Sequence, residues 1–84
     1  MFFGEAVQSL KNGKKVARKN WKDGEYVVLA DDISFHTDAN IGDLQGKKCM
    51  TDDCLCFKTS DNIFQLGWSP TQADMLSEDW EIVK

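Results

Sequence analysis

Lys14-Lys15-Val16-Ala17-Arg18-Lys19-Asn20-Trp21, Lys22-Asp23-Gly24 and Glu25-Tyr26-Val27-Val28-Leu29-Ala30 follow one another, and their reading decides the fold. Asp-Gly between two such segments predicts a tight hairpin whose central residues take positive φ. Lys22 and Glu25 then face each other across the turn as a weakly favourable charged pair. Tyr26 to Ala30 is apolar at every position rather than at alternate ones, so this strand needs cover on both faces.

The segment upstream supplies one cover. Phe3, Ala6, Val7 and Leu10 recur at i, i+3, i+4 and i+7, a single apolar stripe along a helix over residues 3–12. Glu5 in its first turn and Lys11 in its last favour the helix dipole, and Asn12-Gly13 supplies the stop. A second subunit is the source expected for the other cover.

Downstream, residues 31–53 are polar, contain Gly42 and Gly46, and have only scattered apolar residues (Ile33, Phe35, Ile41, Leu44). A variable loop is expected here, with a short strand around Ile33–Phe35. Leu55–Thr59 and Ile63–Trp68 form a second hairpin around Ser60-Asp61-Asn62. Ser69-Pro70 reads as an N-cap followed by proline at the first helical position. A short helix through Thr71–Leu76 and a closing strand from Trp80 to Val83 complete the chain. The expected class is α+β: an N-terminal helix packed on a small, mainly antiparallel sheet, with a short helix before the last strand. Residues 1–84 form a single compact domain on this reading.

Composition narrows the function. A chain of 84 residues buries only a little over ~60% of its unfolded surface, yet 42% of this one is hydrophobic. A thin core with abundant apolar side chains favours self-association. The net charge of −4 disfavours long polynucleotides, which bind through Lys and Arg on phosphates. The cations are nevertheless uneven: Lys11, Lys14, Lys15, Arg18, Lys19 and Lys22 fall within twelve positions, enough for one small anion. No secretory signal or membrane span is legible, and three cysteines make no closed disulfide framework, so a cytoplasmic protein is expected.

Catalytic and metal readings are poor. Cys49, Cys54 and Cys56 reach four ligands only by recruiting His36, the one histidine, and Cys56 is more simply a small core residue. Asp38 to Asp43 places glycine at position five of a would-be calcium loop, one place early. No Ser-His-Asp or Cys-His spacing and no glycine-rich phosphate motif is present. Asp74, Glu78 and Asp79 are the acids a hydrolase would use, and an acidic run of this kind is more often surface. Neither cofactor nor metal is expected.

The tryptophans remain. Trp80, on the closing strand, is assigned to the core. Trp21 borders a turn and Trp68 precedes a helix start; each either caps the core or offers a stacking wall to a planar base, worth roughly 1–3 kcal/mol per stack. Arg18 offers a donor fork for phosphate, Ser69 and Thr71 hydroxyls at a helix start, and Asp74 an acceptor for ribose hydroxyls or base amines.

Phe3-Gly4-Glu5-Ala6, Val16-Ala17-Arg18-Lys19-Asn20-Trp21, and Trp68-Ser69-Pro70 leading to Asp74-Met75-Leu76 and Asp79-Trp80 together resemble the Thoeris anti-defence two family of phage-encoded sponge proteins. The resemblance covers roughly residues 1–30 and 62–84. Position 20 is often glycine in such sequences, and residues 31–53 have no counterpart in it. It implies a homo-oligomer, often a tetramer, in the host cytoplasm. Such an oligomer sequesters a cyclic ADP-ribose-type immune signal without cleaving it, and some relatives hold cyclic dinucleotides. Sites would lie between protomers and use aromatic stacking. The ligand-binding residues expected here are Phe3, Arg18, Trp21, Trp68, Ser69, Thr71 and Asp74, with core packing the competing role for Phe3. The rival readings are a protein–protein inhibitor anchored by tryptophans and a small phosphodiester hydrolase using Asp74.

Overall fold

The computed structural model describes residues 1–30 and 53–84, together with the backbone of two short strands at 34–36 and 48–50. Helix α1, Phe3–Lys11, is the amphipathic helix the spacing predicts, and it buries Ala6 and Leu10. It ends as Asn12-Gly13 requires. Gly13 takes φ +80°, its N–H donates to the Leu10 carbonyl, and the Lys14 N–H donates to Ser9. Only glycine enters that left-handed position without strain.

Five antiparallel strands make the main sheet: β1 (Lys15–Arg18), β2 (Tyr26–Ala30), β5 (Cys54–Lys58), β6 (Phe64–Leu66) and β7 (Trp80–Val83), in the order β6-β5-β2-β1-β7. Strands β3 (Ser34–His36) and β4 (Lys48–Met50) pair with each other. The strand expected around Ile33–Phe35 is β3; its partner β4 was not legible. Three residues separate Ala30 from Ser34 and three separate Met50 from Cys54. The Ala30–Cys54 and Ser34–Met50 pairs are therefore equally spaced along both segments of sequence. Helix α2, Gln72–Leu76, precedes β7. The fold is α+β, as the patterning predicts.

Two local expectations need correction. The β1–β2 connection is not a two-residue hairpin: only Val16 and Val27 pair directly, and Gly24 alone has positive φ, at +87°. The chain instead makes two successive turns, Trp21 N–H to Arg18 O and Glu25 N–H to Lys22 O. The Glu25 carboxylate accepts from the Lys22 backbone N–H at 2.8 Å, so it caps the turn rather than pairing with the Lys22 ammonium. The second correction concerns α2, which is capped by Thr71 and not by Ser69. Thr71 Oγ1 accepts from the Asp74 N–H at 3.1 Å, while Asp74 Oδ2 accepts from the Thr71 N–H at 2.9 Å. This reciprocal box satisfies two end groups at once, and a cap at Ser69 with Pro70 inside the helix would forgo it.

Val16, Val27, Ala6, Leu10 and Trp80 form the buried core between α1 and one sheet face. β2 buries Val27 and Ala30 and leaves Tyr26, Val28 and Leu29 half-covered.

Candidate functional site

Trp80 is the centre of the site region. It is 2% exposed and its indole Nε1–H donates to the Asp74 carbonyl at 2.8 Å. Phe3, Trp21 and Trp68 pack around its ring with centroids at 5.5, 5.4 and 6.3 Å. Trp21 also meets Trp68 at 6.1 Å and Phe57 at 5.4 Å, each nearly edge-to-face. Such contacts place the positive ring edge of one aromatic on the negative face of its neighbour. Trp21 and Trp68 stay half-buried at the rim of this cluster.

The β1–β7 register sets Arg18 directly opposite Trp80. From there Arg18 Nε–H donates to Asp79 Oδ1 and Nη1–H to Asp74 Oδ1, both at 3.1 Å. The hydrogen bonds to Asp79 and then Asp74 hold the guanidinium above its already high ordinary pKa. Burial pushes the Asp74 carboxyl upward. The Thr71 backbone N–H, Arg18 and the Thr71 hydroxyl outweigh it, and the net position is below the ordinary carboxylate range. Asp74 is thus a fixed anion with both oxygens engaged.

Of the seven residues expected at the site, Phe3, Trp21 and Trp68 pack on Trp80, and the Asp74 carbonyl accepts from its indole. Arg18 and Thr71 join through Asp74, and Ser69 takes no part in these contacts. Phe3 packs on the Trp80 ring, half-buried. Arg18, Thr71 and Asp74 are bound to one another and to Asp79. Ser69 is exposed, and its hydroxyl joins none of the hydrogen bonds among the described residues. Trp80 is core, as its place on the closing strand predicts. The partner that sequence spacing does not reveal is Asp79. The signal that exposes it is the pairing of β1 with β7, which sets Arg18 opposite Trp80 and so beside Asp79.

On the rim of the sheet, a hollow of about 200 Å³ is lined by Arg18, Lys19, Trp21, Gly24, Glu81 and Ile82, among others. It shares Arg18 and Trp21 with the aromatic region. Pockets that enclose a small molecule span roughly 300–1,000 Å³, so this hollow alone is too small to enclose one. Cys56 is buried in the sheet, where desolvation and then the neighbouring Cys54 push its thiol pKa up. Of the residues weighed for zinc, Cys49 and His36 have side chains outside the described residues, as does the Asp38–Asp43 segment. Among the described residues no group of three or more metal-ligating side chains occurs.

Residues 1–83 match the Thoeris anti-defense 2-like domain. The chain is also 33% identical, over 90 aligned positions, to Thoeris anti-defense 2 of Bacillus phage SP01, covering 99% of this chain and 94% of that protein. Aligned at this level from end to end, with the tryptophan and arginine segments set around one centre, the chain belongs to the Thoeris anti-defense 2-like family.

Proposed function

We propose that this protein acts as a non-enzymatic sponge. It binds a cyclic ADP-ribose-type signalling nucleotide between two copies of the chain and holds it without cleavage. The observation that carries the reading is the half-buried Trp21–Trp68 pair, braced by buried Trp80 and bordered by Arg18. A family named for countering a Thoeris defence gives that pair a context in which capturing a small signal is useful.

Rigidity supports the reading. A sponge that out-competes a receptor needs nanomolar binding, about −12 kcal/mol. Two stacks at roughly 1–3 kcal/mol each reach that with a few charge-assisted bonds only when the site is preorganised. Trp21 and Trp68 are fixed by each other, by Phe57 and by Trp80 before any ligand arrives. The small hollow beside Arg18 and Trp21 calls for a second wall, which another copy supplies. Arg18 has its Nη2 donors beyond the two bonds it makes to Asp79 and Asp74, and these are assigned to phosphate. Ser69, with its exposed hydroxyl, is assigned to polar fixing, while Thr71 and Asp74 act mainly by holding Arg18 and α2 in place.

The hydrolase reading is less well supported. A general acid–base group works best with a pKa near the operating pH, and Asp74 is displaced the other way. Titration calorimetry of the wild type and Trp68→Ala against a cyclic ADP-ribose isomer tests the assignment. Loss of one stack, about 1–3 kcal/mol, weakens binding roughly 5- to 150-fold. Full-strength capture by Trp68→Ala contradicts it. Tighter binding of a cyclic dinucleotide than of any cyclic ADP-ribose isomer would reassign the ligand.

A further inference from the structure

β6 lies at one edge of the sheet, and its free side carries a self-complementary pattern. Thr59 N–H donates to Ile63 O, and Gly67 N–H donates to Leu55 O. With Phe57 opposite Gln65, these bonds show that Ile63, Gln65 and Gly67 turn their backbone groups toward β5. Phe64 and Leu66 therefore turn their N–H and C=O groups outward, and among the described residues nothing pairs with that edge. Both side chains are also exposed, 56% for Phe64 and 46% for Leu66.

Natural edge strands are protected by charge, proline, bulges or a covering segment. Asn62-Ile63-Phe64-Gln65-Leu66-Gly67 contains no charge and no proline. The opposite edge differs: β7 carries Glu81, and at Trp80 it exchanges backbone hydrogen bonds with Met1.

We propose that β6 is an interface strand that pairs antiparallel with β6 of a second copy, about a two-fold axis through Gln65. In this register Phe64 of each copy faces Leu66 of the other. Both pairs are of the hydrogen-bonded type, so four bonds satisfy every outward backbone group of the two strands. Gln65 meets its own counterpart in the central non-hydrogen-bonded pair, where side chains come closest and the amides can donate and accept in turn. No charge meets a like charge. Phe64 and Leu66 share the sheet face away from α1: Leu66 continues the row Val28–Cys56, and Phe64 the row Tyr26–Lys58. Pairing sets Leu66 of one copy beside Phe64 of the other on that face and joins the two sheets into one of ten strands. This surface does not depend on which ligand the protein holds.

Substitution at position 65 tests the proposal by light scattering and by cross-linking. The wild type should run at no less than twice its 9.5 kDa mass. Gln65→Lys, which opposes two ammonium groups at the axis, should halve the mass while the far-ultraviolet circular dichroism stays unchanged. Gln65→Cys should form a covalent dimer under mild oxidation, because Cα atoms about 4.5 Å apart lie within disulfide range. The unmodified chain, oxidised in parallel, sets the background from Cys49, Cys54 and Cys56, and Glu81→Cys reports on the other edge. The proposal is overturned by a single-chain mass for the wild type or by an unchanged mass in Gln65→Lys. Cross-linking of Gln65→Cys no greater than that of the unmodified chain or of Glu81→Cys would overturn it equally.

Discussion

Arg18 and Asp74 are residue types that bind ligands, and the fold first uses them on itself. Their partners lie 61 and 56 positions apart in sequence, beyond the reach of any local pattern. Composition could therefore nominate Arg18 but not reveal that two carboxylates already hold it. Asp74 makes the pH dependence specific. Its folded pKa lies below the ordinary 3.8, so its stabilisation is fully present above that value and is lost as the pH falls through the folded pKa. Asp74→Asn should be less stable than the wild type at pH 7 in urea, and the gap should narrow as the pH drops below 3.8. A gap constant across that range would remove Asp74 from this role. Thr71→Ala, which deletes one arm of the capping box, should cost about 1 kcal/mol by the same measurement.

At the scale of elements, what was legible followed from local chemistry. Helix α1 was readable because its apolar spacing and its Asn12-Gly13 stop agree, and β5, β6, α2 and β7 fell where the apolar runs and turn residues put them. Gly13→Ala should cost roughly 1–2 kcal/mol, since a Cβ there meets no neighbour and the penalty is the left-handed backbone alone. The β1–β2 turn was misread because Asp23-Gly24 fits a two-residue hairpin. Tertiary contacts chose a wider connection, in which the Lys58 ammonium donates to the Gly24 carbonyl at 2.7 Å. The β3–β4 pairing was hidden because its strands are short and set within polar sequence. Because equal numbers of residues separate the Ala30–Cys54 and Ser34–Met50 pairs, replacing residues 32–52 with an Asn-Gly turn should leave β2–β5 intact. Such a variant should keep the near-ultraviolet signal of the tryptophan cluster, and loss of that signal would show that the segment is needed for the domain to form.

Across the whole molecule, charge is segregated. Six aspartates and two lysines within residues 31–53 account for the entire net charge of −4, so the remainder of the chain, which carries the tryptophan site, is neutral overall. Within that neutral remainder, Asp74 and Asp79 sit directly on the Arg18 guanidinium. No helix among the described residues is long and apolar enough to cross a membrane. Capture rather than turnover is the proposed function, and the packed tryptophans beside Arg18 are its support. Incubating the purified protein with a cyclic ADP-ribose isomer, removing unbound material, heat-denaturing it and identifying what is released tests that claim most directly. Intact nucleotide in near-stoichiometric amount is the predicted result; a cleaved product, or no nucleotide across the cyclic ADP-ribose isomers, would contradict it.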